Sequence, residues 1–289
     1  MAPFAGLITL LGSNCSKAVG SCLLLACTYV GSLYIWRTKF HRDHPTTIKK
    51  RFVSVLIMGV VSPLFVVFCS EKTYFGERGS LPTLLGFRWK GLLQAFVLPL
   101  GLTMVLFSGP LLLHYLDGVC GLYLKSRYWM SNLRNLIWLR NHIVAPFSEE
   151  FTFRACMLPI LVPCFGASLS IVICPLFFGV AHLHHLRERM ERSTNTTHAV
   201  FQSLFQFLYT SLFGVYSAYL FLRTGHFMAP FIAHAFCNHM GFPDFIEVLS
   251  YKQPVRTFLV ILFLLGFFGW LVLLEPLTKP AIFSNLVYV

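Results

Sequence analysis

Charged residues are scarce in this sequence. Only 12% of its 289 residues are Asp, Glu, Lys or Arg, and only 11 of these are acidic. Soluble domains carry about twice that share of charge, so the composition excludes an ordinary water-soluble domain. Apolar residues take the place of the charges: 56% of the chain is hydrophobic, Phe alone occurs 30 times, and the mean hydropathy is +0.68. The composition therefore predicts an integral membrane protein.

Three familiar sequence patterns are also missing. The 9 Cys are an odd number without a C-x-x-C pair, which argues against a disulfide framework or a zinc ribbon. We therefore expect the cysteines to be small apolar packing residues. The H-E-x-x-H pattern of zinc peptidases is absent. The start of the chain lacks a basic region followed by a short apolar core and a cleavage site, so we expect no removable signal peptide.

Windows without charge indicate where the chain crosses a membrane. A bilayer core needs about 20 apolar residues per helix. The charge-free windows are 18–36, 52–70, 91–116, 155–181, 193–222, 224–243 and 257–274. The fourth window contains several prolines, and we expect it to break near Pro159–Pro163, with a separate helix starting near Ile143. The sequence thus predicts an all-α, polytopic membrane bundle of about eight transmembrane helices.

Basic residues set the expected orientation of this bundle. We expect residues 1–289 to form a single membrane-embedded domain, with residues 1–17 as a short non-cytosolic segment. The cytosolic segments then carry 15 Lys and Arg residues and the opposite side carries 7. Those cytosolic segments are 37–51 with six, 117–140 with four, 183–198 with three and 244–256 with two. The bias follows the positive-inside rule and favours this orientation over its inverse.

The stretch "WRTKFHRDHPTTIKKR", residues 36–51, resembles a nucleic-acid-binding patch by composition alone. Because it lies between two predicted spans, we interpret it as a topology signal that contacts anionic lipid. We therefore expect membrane lipid, and no nucleic acid, as a partner.

Ionisable residues inside the predicted spans are the candidates for function, since each costs roughly 2.5–3.5 kcal/mol to insert. The stretch "APFSEEFTFRACMLP" places Glu150 and Arg154 four residues apart, on one helix face, and points Glu149 about 100° away. Arg154 then neutralises Glu150, and Glu149 has no partner on its own helix. A dry carboxylate of this kind can serve as a general base. The alternative is a purely structural cluster of ion pairs that connects the helices of the bundle.

Two further stretches carry polar residues at membrane depth. In "CPLFFGVAHLHH", Phe178 and His182 share one helix face, and in "APFIAHAFCNHMGFP", His234 and Asn238 do so. The topology brings both pairs and Glu149 into the cytosolic half of the bundle. One carboxylate, two imidazoles and an amide that converge there predict a hydrolytic site better than a purely structural cluster.

In this order, "EEFTFR", "FGVAH" and "HAFCN" fit the motifs E-E-x-x-x-R, F-x-x-x-H and H-x-x-x-N. They resemble the CPBP (also called ABI) family of intramembrane glutamate endopeptidases. The surrounding sequence, including "DHPTTIKKRF", is similar to the type II CaaX prenyl endopeptidases of the endoplasmic reticulum. The likeness extends from about residue 20 to about residue 280.

The resemblance implies an activity and roles for the residues. Such enzymes remove the last three residues, aaX, from prenylated CaaX proteins such as Ras-type small GTPases. It implies that Glu149 activates water, that His182 holds the water, and that His234 and Asn238 form an oxyanion hole. Glu150, Arg154 and Phe178 would surround these four residues and hold them in position. We expect neither a cofactor nor a metal, and an active site that opens to the cytosolic side of the endoplasmic reticulum membrane.

Three other interpretations remain open. In an intramembrane zinc protease, Glu149, His182 and His234 would be the ligands, and activity would be sensitive to chelators. In a thiol protease, Cys156 or Cys237 would be the nucleophile, and replacement by Ser would abolish activity. A non-enzymatic carrier or scaffold would use the buried Glu and His residues as an ion path and would tolerate loss of the Asn238 amide.

Overall fold

The computed structural model describes residues 13–69, 79–184, 186, 189–190 and 196–288. All regular secondary structure in these residues is helical, which confirms the predicted all-α class. The helices are α1 (Ser13–Tyr34), α2 (Pro45–Cys69), α3 (Leu81–Leu84), α4 (Leu92–Leu106), α5 (Ser108–Leu116), α6 (Cys120–Tyr123), α7 (Ser126–Leu133), α8 (Leu136–Leu139), α9 (Ala145–Glu150), α10 (Leu158–His182), α11 (Thr196–Thr224), α12 (Met228–Met240), α13 (Phe245–Ser250) and α14 (Val255–Leu277). Most of the predicted segment 1–17 lies outside the described residues.

The outer surface of the bundle is apolar, as a lipid-facing surface must be. Leu56, Val60 and Phe68 on α2 and Leu212 on α11 are each at least 70% exposed. In a protein surrounded by water such a surface would promote aggregation, whereas acyl chains solvate it. The helices long and apolar enough to span a membrane are α1 (from Cys15), α2, α10, α11 and α14, and α4 with α5 forms a sixth candidate bent by 74°. These helices confirm a multi-pass membrane bundle.

The predicted break near Pro159–Pro163 is wrong, because the chain reverses at Gly166. Gly166 has φ 69° and ψ 170°, a conformation that no helix contains and that favours glycine. The reversal follows from Glu149 and His182, which lie far apart along the chain yet line one cavity. Pro159 instead lies in the first turn of α10, where the missing N–H breaks no helical hydrogen bond.

This reversal explains why the number of spans depends on the criterion. By length and composition alone, the described helices give five or six spans. That count takes α10 as one helix and leaves out α12, which has 13 residues. The turn at Gly166 divides α10 into two helical segments. The first continues the direction of α9, and the second runs back along it. With these two and α12 counted, the described chain has eight candidate segments, and the predicted count of about eight transmembrane helices stays a prediction.

One disulfide contradicts the prediction that all cysteines are packing residues. Cys15 in the first turn of α1 is bonded to Cys164, two residues before Gly166. The two are 149 residues apart, so no local spacing signals the pair. The bond holds α1 against the reversal of α10. The other described cysteines are free, and three of them, Cys22, Cys156 and Cys174, are buried packing residues as predicted, whereas Cys27 and Cys69 are exposed.

Hydrogen bonds from α1 and α2 fix the segment that carries the two glutamates. Tyr29 Oη lies 2.8 Å from Ser148 Oγ, and Ser62 Oγ lies 3.4 Å from Thr152 Oγ1. At the start of this segment, Arg140 Nη1 donates to Asp43 Oδ1 at 2.8 Å. Burial raises the pKa of the Asp43 carboxyl, but the bond and charge of Arg140 outweigh it and lower that pKa overall. The segment is therefore held at both ends and along its length.

Candidate active site

Two π-helical turns flank the carboxylates on α9. They are Arg140–Val144 and Phe151–Cys156, on either side of Ala145–Glu150. π-helical turns are rare and frequently occur at functional sites. They widen the helix locally and set the direction in which Glu149 and Glu150 project. Nothing in the sequence pattern predicts these turns.

Glu150 and Arg154 form the ion pair that their spacing predicts. Arg154 Nη1 lies 3.2 Å from Glu150 Oε1, and both side chains are completely buried. The guanidinium also lies over the ring of Phe178, 4.2 Å from its centroid, as in a cation–π contact. Gly214 on α11 makes room for it, since a Cβ there would lie 3.0 Å from Arg154 Nη2. The predicted supporting residues Glu150, Arg154 and Phe178 thus contact one another.

Glu150 also holds His234 from α12 in place. His234 Nδ1 lies 2.7 Å from Glu150 Oε1, and Ser217 Oγ donates to Glu150 Oε2. Because a carboxylate only accepts, the imidazole carries a proton on Nδ1. Ser217 was not predicted, since a hydroxyl in an apolar helix most often bonds a carbonyl of its own helix and gives no signal. Glu150 therefore fixes the ring orientation and tautomer of His234.

Glu149 projects away from this buried pair, as predicted. Its side chain is 20% exposed, and its Oε2 lies 3.8 Å from His234 Nε2. The imidazole thus lies between the two glutamates, with one nitrogen toward each. The gap on the Glu149 side is longer than a direct hydrogen bond and can be bridged by a water molecule.

His182 at the end of α10 lines the same cavity as Glu149. Its Nδ1 lies 2.8 Å from the carbonyl oxygen of Phe178, one turn earlier, and so carries the proton in that bond. In the neutral ring, Nε2 is then a hydrogen-bond acceptor. The ring also packs edge-on against Phe178, with centroids 4.5 Å apart. Phe178 therefore separates His182 from Arg154 and positions both.

Asn238 lies one turn after His234 on α12 and reaches across to the start of the glutamate segment. Its Nδ2 donates to the carbonyl oxygen of Asn141 at 2.9 Å. A carboxamide has two N–H groups, so a single backbone acceptor orients it without exhausting its donors. The partner is a main-chain atom, which no sequence pattern indicates.

A single cavity of about 820 Å³ brings the four predicted residues together. Glu149, His182, His234 and Asn238 all line it. Aromatic and aliphatic side chains of α4, α11 and α14 form much of the remaining wall; they are Leu106, Phe107, Tyr209, Leu212, Phe213, Val215, Tyr216, Tyr219, Phe267, Trp270 and Leu274. A large apolar pocket with a few convergent polar groups is the usual form of a site for a partly apolar ligand.

The structure also locates the residues that a zinc protease or a thiol protease would require. The part of the chain that the structure describes contains no group of three or more His, Cys, Asp or Glu side chains arranged to hold a metal ion. Cys156 is buried in the core, whereas Cys237 lines the cavity beside His234. The cavity thus offers a carboxylate, two imidazoles, the amides of Asn238 and Gln206, and one thiol to a bound molecule.

A membrane helix bundle with this constellation in an apolar cavity has the features expected of a membrane-embedded hydrolase. A family model described as "Type II CAAX prenyl endopeptidase Rce1-like" matches residues 131–240, the part that carries all four residues. The chain is 46% identical to the human "CAAX prenyl protease 2" over 95% of its length and 85% of that protein. It is 33% identical to the protein of that name from Arabidopsis thaliana, over 93% and 92% of the two chains. The Caenorhabditis elegans protein of that name is 31% identical, over 89% and 97%. The chain therefore belongs to the type II CaaX prenyl endopeptidases, a family of proteases.

No solved structure matches this chain significantly.

Proposed function

We propose that the chain removes the C-terminal tripeptide from prenylated CaaX proteins by means of water activated by Glu149. One observation carries the proposal: Glu149, His182, His234 and Asn238 line a single cavity whose remaining wall is mostly apolar. The polar groups match what amide hydrolysis requires, and the apolar wall matches an isoprenoid. The relatives' name refers to prenylated CaaX proteins, and the proposed substrates are such proteins, for example Ras-type small GTPases.

In the proposed reaction, Glu149 removes a proton from a water molecule that His182 Nε2 helps to hold. The water oxygen attacks the carbonyl carbon of the residue before the scissile bond, and the carbonyl oxygen becomes an oxyanion. Glu149 then passes its proton to the amide nitrogen as the C–N bond breaks. The products are a new carboxylate on the prenylated cysteine and a free tripeptide.

His234 and Asn238 are the proposed donors to the oxyanion. Because Glu150 keeps a proton on His234 Nδ1, Nε2 can donate only from the imidazolium form. In that form the two cations, imidazolium and guanidinium, balance the two carboxylates of the cluster. A balanced cluster is much less costly to bury than one with net charge. The second N–H of Asn238 completes the pair of donors.

We further propose that the site opens toward the cytosolic leaflet of the endoplasmic reticulum membrane. The distribution of basic residues supports this orientation. The disulfide between Cys15 and Cys164 supports it independently, because it lies at the opposite end of the bundle. That end would face the lumen, where disulfides form and persist. A prenyl chain partitions into the leaflet and brings the peptide to the cavity.

The direct test is hydrolysis of a farnesylated CaaX peptide by the purified protein in detergent or vesicles. We expect release of the tripeptide, with and without a strong chelator, and far less from the same peptide without the farnesyl group. Loss of activity in the chelator that added Zn²⁺ restores would favour a metal mechanism. Absence of tripeptide release under all conditions would refute the proposed activity.

Replacing His234 by Ala should lower kcat by about 10²–10³, the usual effect of losing one oxyanion donor. KM should change little, since the oxyanion exists only in the transition state. Steady-state kinetics on the farnesylated peptide measure both. His239→Ala is a matched control, because this histidine lies on the same helix outside the cavity. A loss below tenfold in kcat would contradict the oxyanion role of His234.

A further inference from the structure

A second cavity, of about 600 Å³, lies on the side where α1 ends and α2 begins. Its wall is formed by the last turn of α1, the connection that follows and the first turns of α2. Four permanently basic side chains line it: Arg37, Arg42, Lys50 and Arg51. This basic cavity belongs to the stretch 36–51, for which the sequence suggests only a topology signal.

A smaller cavity of about 130 Å³, which we call the passage, shares lining residues with both the basic cavity and the active site. Arg42 and Arg51 line both the passage and the basic cavity. Glu149 and His182 line both the passage and the apolar cavity. The proposed catalytic base therefore lies between an apolar space on one side and a cationic space on the other.

The charges of the passage favour an anion at its basic end. Arg140 also lines it, but its guanidinium is bonded to Asp43 at 2.8 Å, whereas Arg42 Nε lies 3.8 Å from the same carboxylate, too far for a direct hydrogen bond. The guanidinium of Arg51 lies over the ring of Tyr34, 5.4 Å from the centroid, which restricts its orientation. Guanidinium groups bind carboxylates in a bidentate way that lysine cannot reproduce.

We propose that Arg42 and Arg51 bind the free C-terminal carboxylate of the substrate and thereby set the cleavage point three residues from the chain end. This inference rests on the proposed function. Three extended residues span about 10 Å, so the bound carboxylate would lie roughly that far from the scissile bond. The prenyl group then occupies the apolar cavity and the aaX segment occupies the passage. After hydrolysis the tripeptide, with its old carboxylate and its new amine, leaves through the basic cavity.

The test compares two farnesylated peptides that differ only at the last group, a free acid and a C-terminal amide. For the unmodified protein we expect kcat/KM to be about 10- to 100-fold higher for the acid, the range for hydrogen bonds to a charged group. In R42Q/R51Q the acid should lose this advantage, and the ratio should fall to near 1. Because the ratio is taken within one protein, any loss of folded enzyme cancels. K49Q is the control, since Lys49 is an exposed residue of α2 outside both cavities, and its ratio should stay high.

A binding measurement separates this inference from the proposed activity. The E149Q variant should bind the acid at least about tenfold more tightly than the amide, and R42Q/R51Q/E149Q should not discriminate. If no peptide is cleaved but this discrimination is present, the proposed activity fails and the carboxylate site stands. If the protein with Arg42 and Arg51 intact cleaves or binds both peptides equally well, the carboxylate site is refuted. It is also refuted if R42Q/R51Q weakens both peptides equally and only in vesicles containing anionic lipid, which would assign the cavity to a lipid headgroup.

Discussion

Replacing Glu149 by Gln should lower kcat by about 10³–10⁴ or more, near the upper range for loss of a general base. The amide has nearly the same size as the carboxylate and keeps its contacts, but it cannot accept the proton of a water molecule. Its nearest described basic atom, His234 Nε2, is 3.8 Å away, so no short ion pair is broken. Thermal unfolding should therefore stay within a few degrees of the unmodified protein, and kinetics on the farnesylated peptide give kcat.

Glu150→Gln is the matched control because it makes the same chemical change one residue away. Glu150 is fully buried and bonded to Arg154 and His234, so this variant should lose stability as well as activity. The pair of variants separates a catalytic carboxylate from a structural one. Activity above about a tenth of normal in a well-folded E149Q would show that Glu149 is not the base.

The sequence predicts the bundle well because membranes impose simple rules. Apolar length gives the class and most of the spans, and the distribution of basic residues gives an expected orientation. The break in α10 was misplaced because proline is not the only residue that ends a helix. Pro159 is tolerated in the first turn, whereas Gly166 takes a backbone conformation that the sequence alone does not reveal. The Cys15–Cys164 bond escaped prediction because it depends on which helices become neighbours.

The site is predictable where the four-residue helical spacing applies and unpredictable where helices meet. The facing of Glu150 and Arg154 follows from that spacing, and the structure confirms it. The hydrogen bond from Ser217 and the carbonyl of Asn141 depend on contacts between helices, for which the sequence carries no periodic signal. The role of each residue in catalysis stays a prediction until the variants are measured.

Arg154→Ala should destabilise the fold by about 3–5 kcal/mol, the cost of leaving one member of a buried ion pair alone. The guanidinium contacts Glu150 at 3.2 Å and the ring of Phe178 at 4.2 Å, and water does not reach it. Removing it leaves the Glu150 carboxylate with the His234 imidazole and the Ser217 hydroxyl as its remaining partners. Chemical unfolding in mixed micelles measures the change in free energy.

Arg223→Ala is the control for loss of an arginine as such. Arg223 lies 3.3 Å from Glu275, but this pair is exposed, and such pairs contribute about 0–1 kcal/mol. The double variant E150Q/R154A should be more stable than R154A, because it removes the stranded charge together with its partner, yet it should remain inactive. Equal stabilities for R154A and R223A would mean that water reaches the Arg154 site. In that case the dry, charge-balanced cluster would not exist.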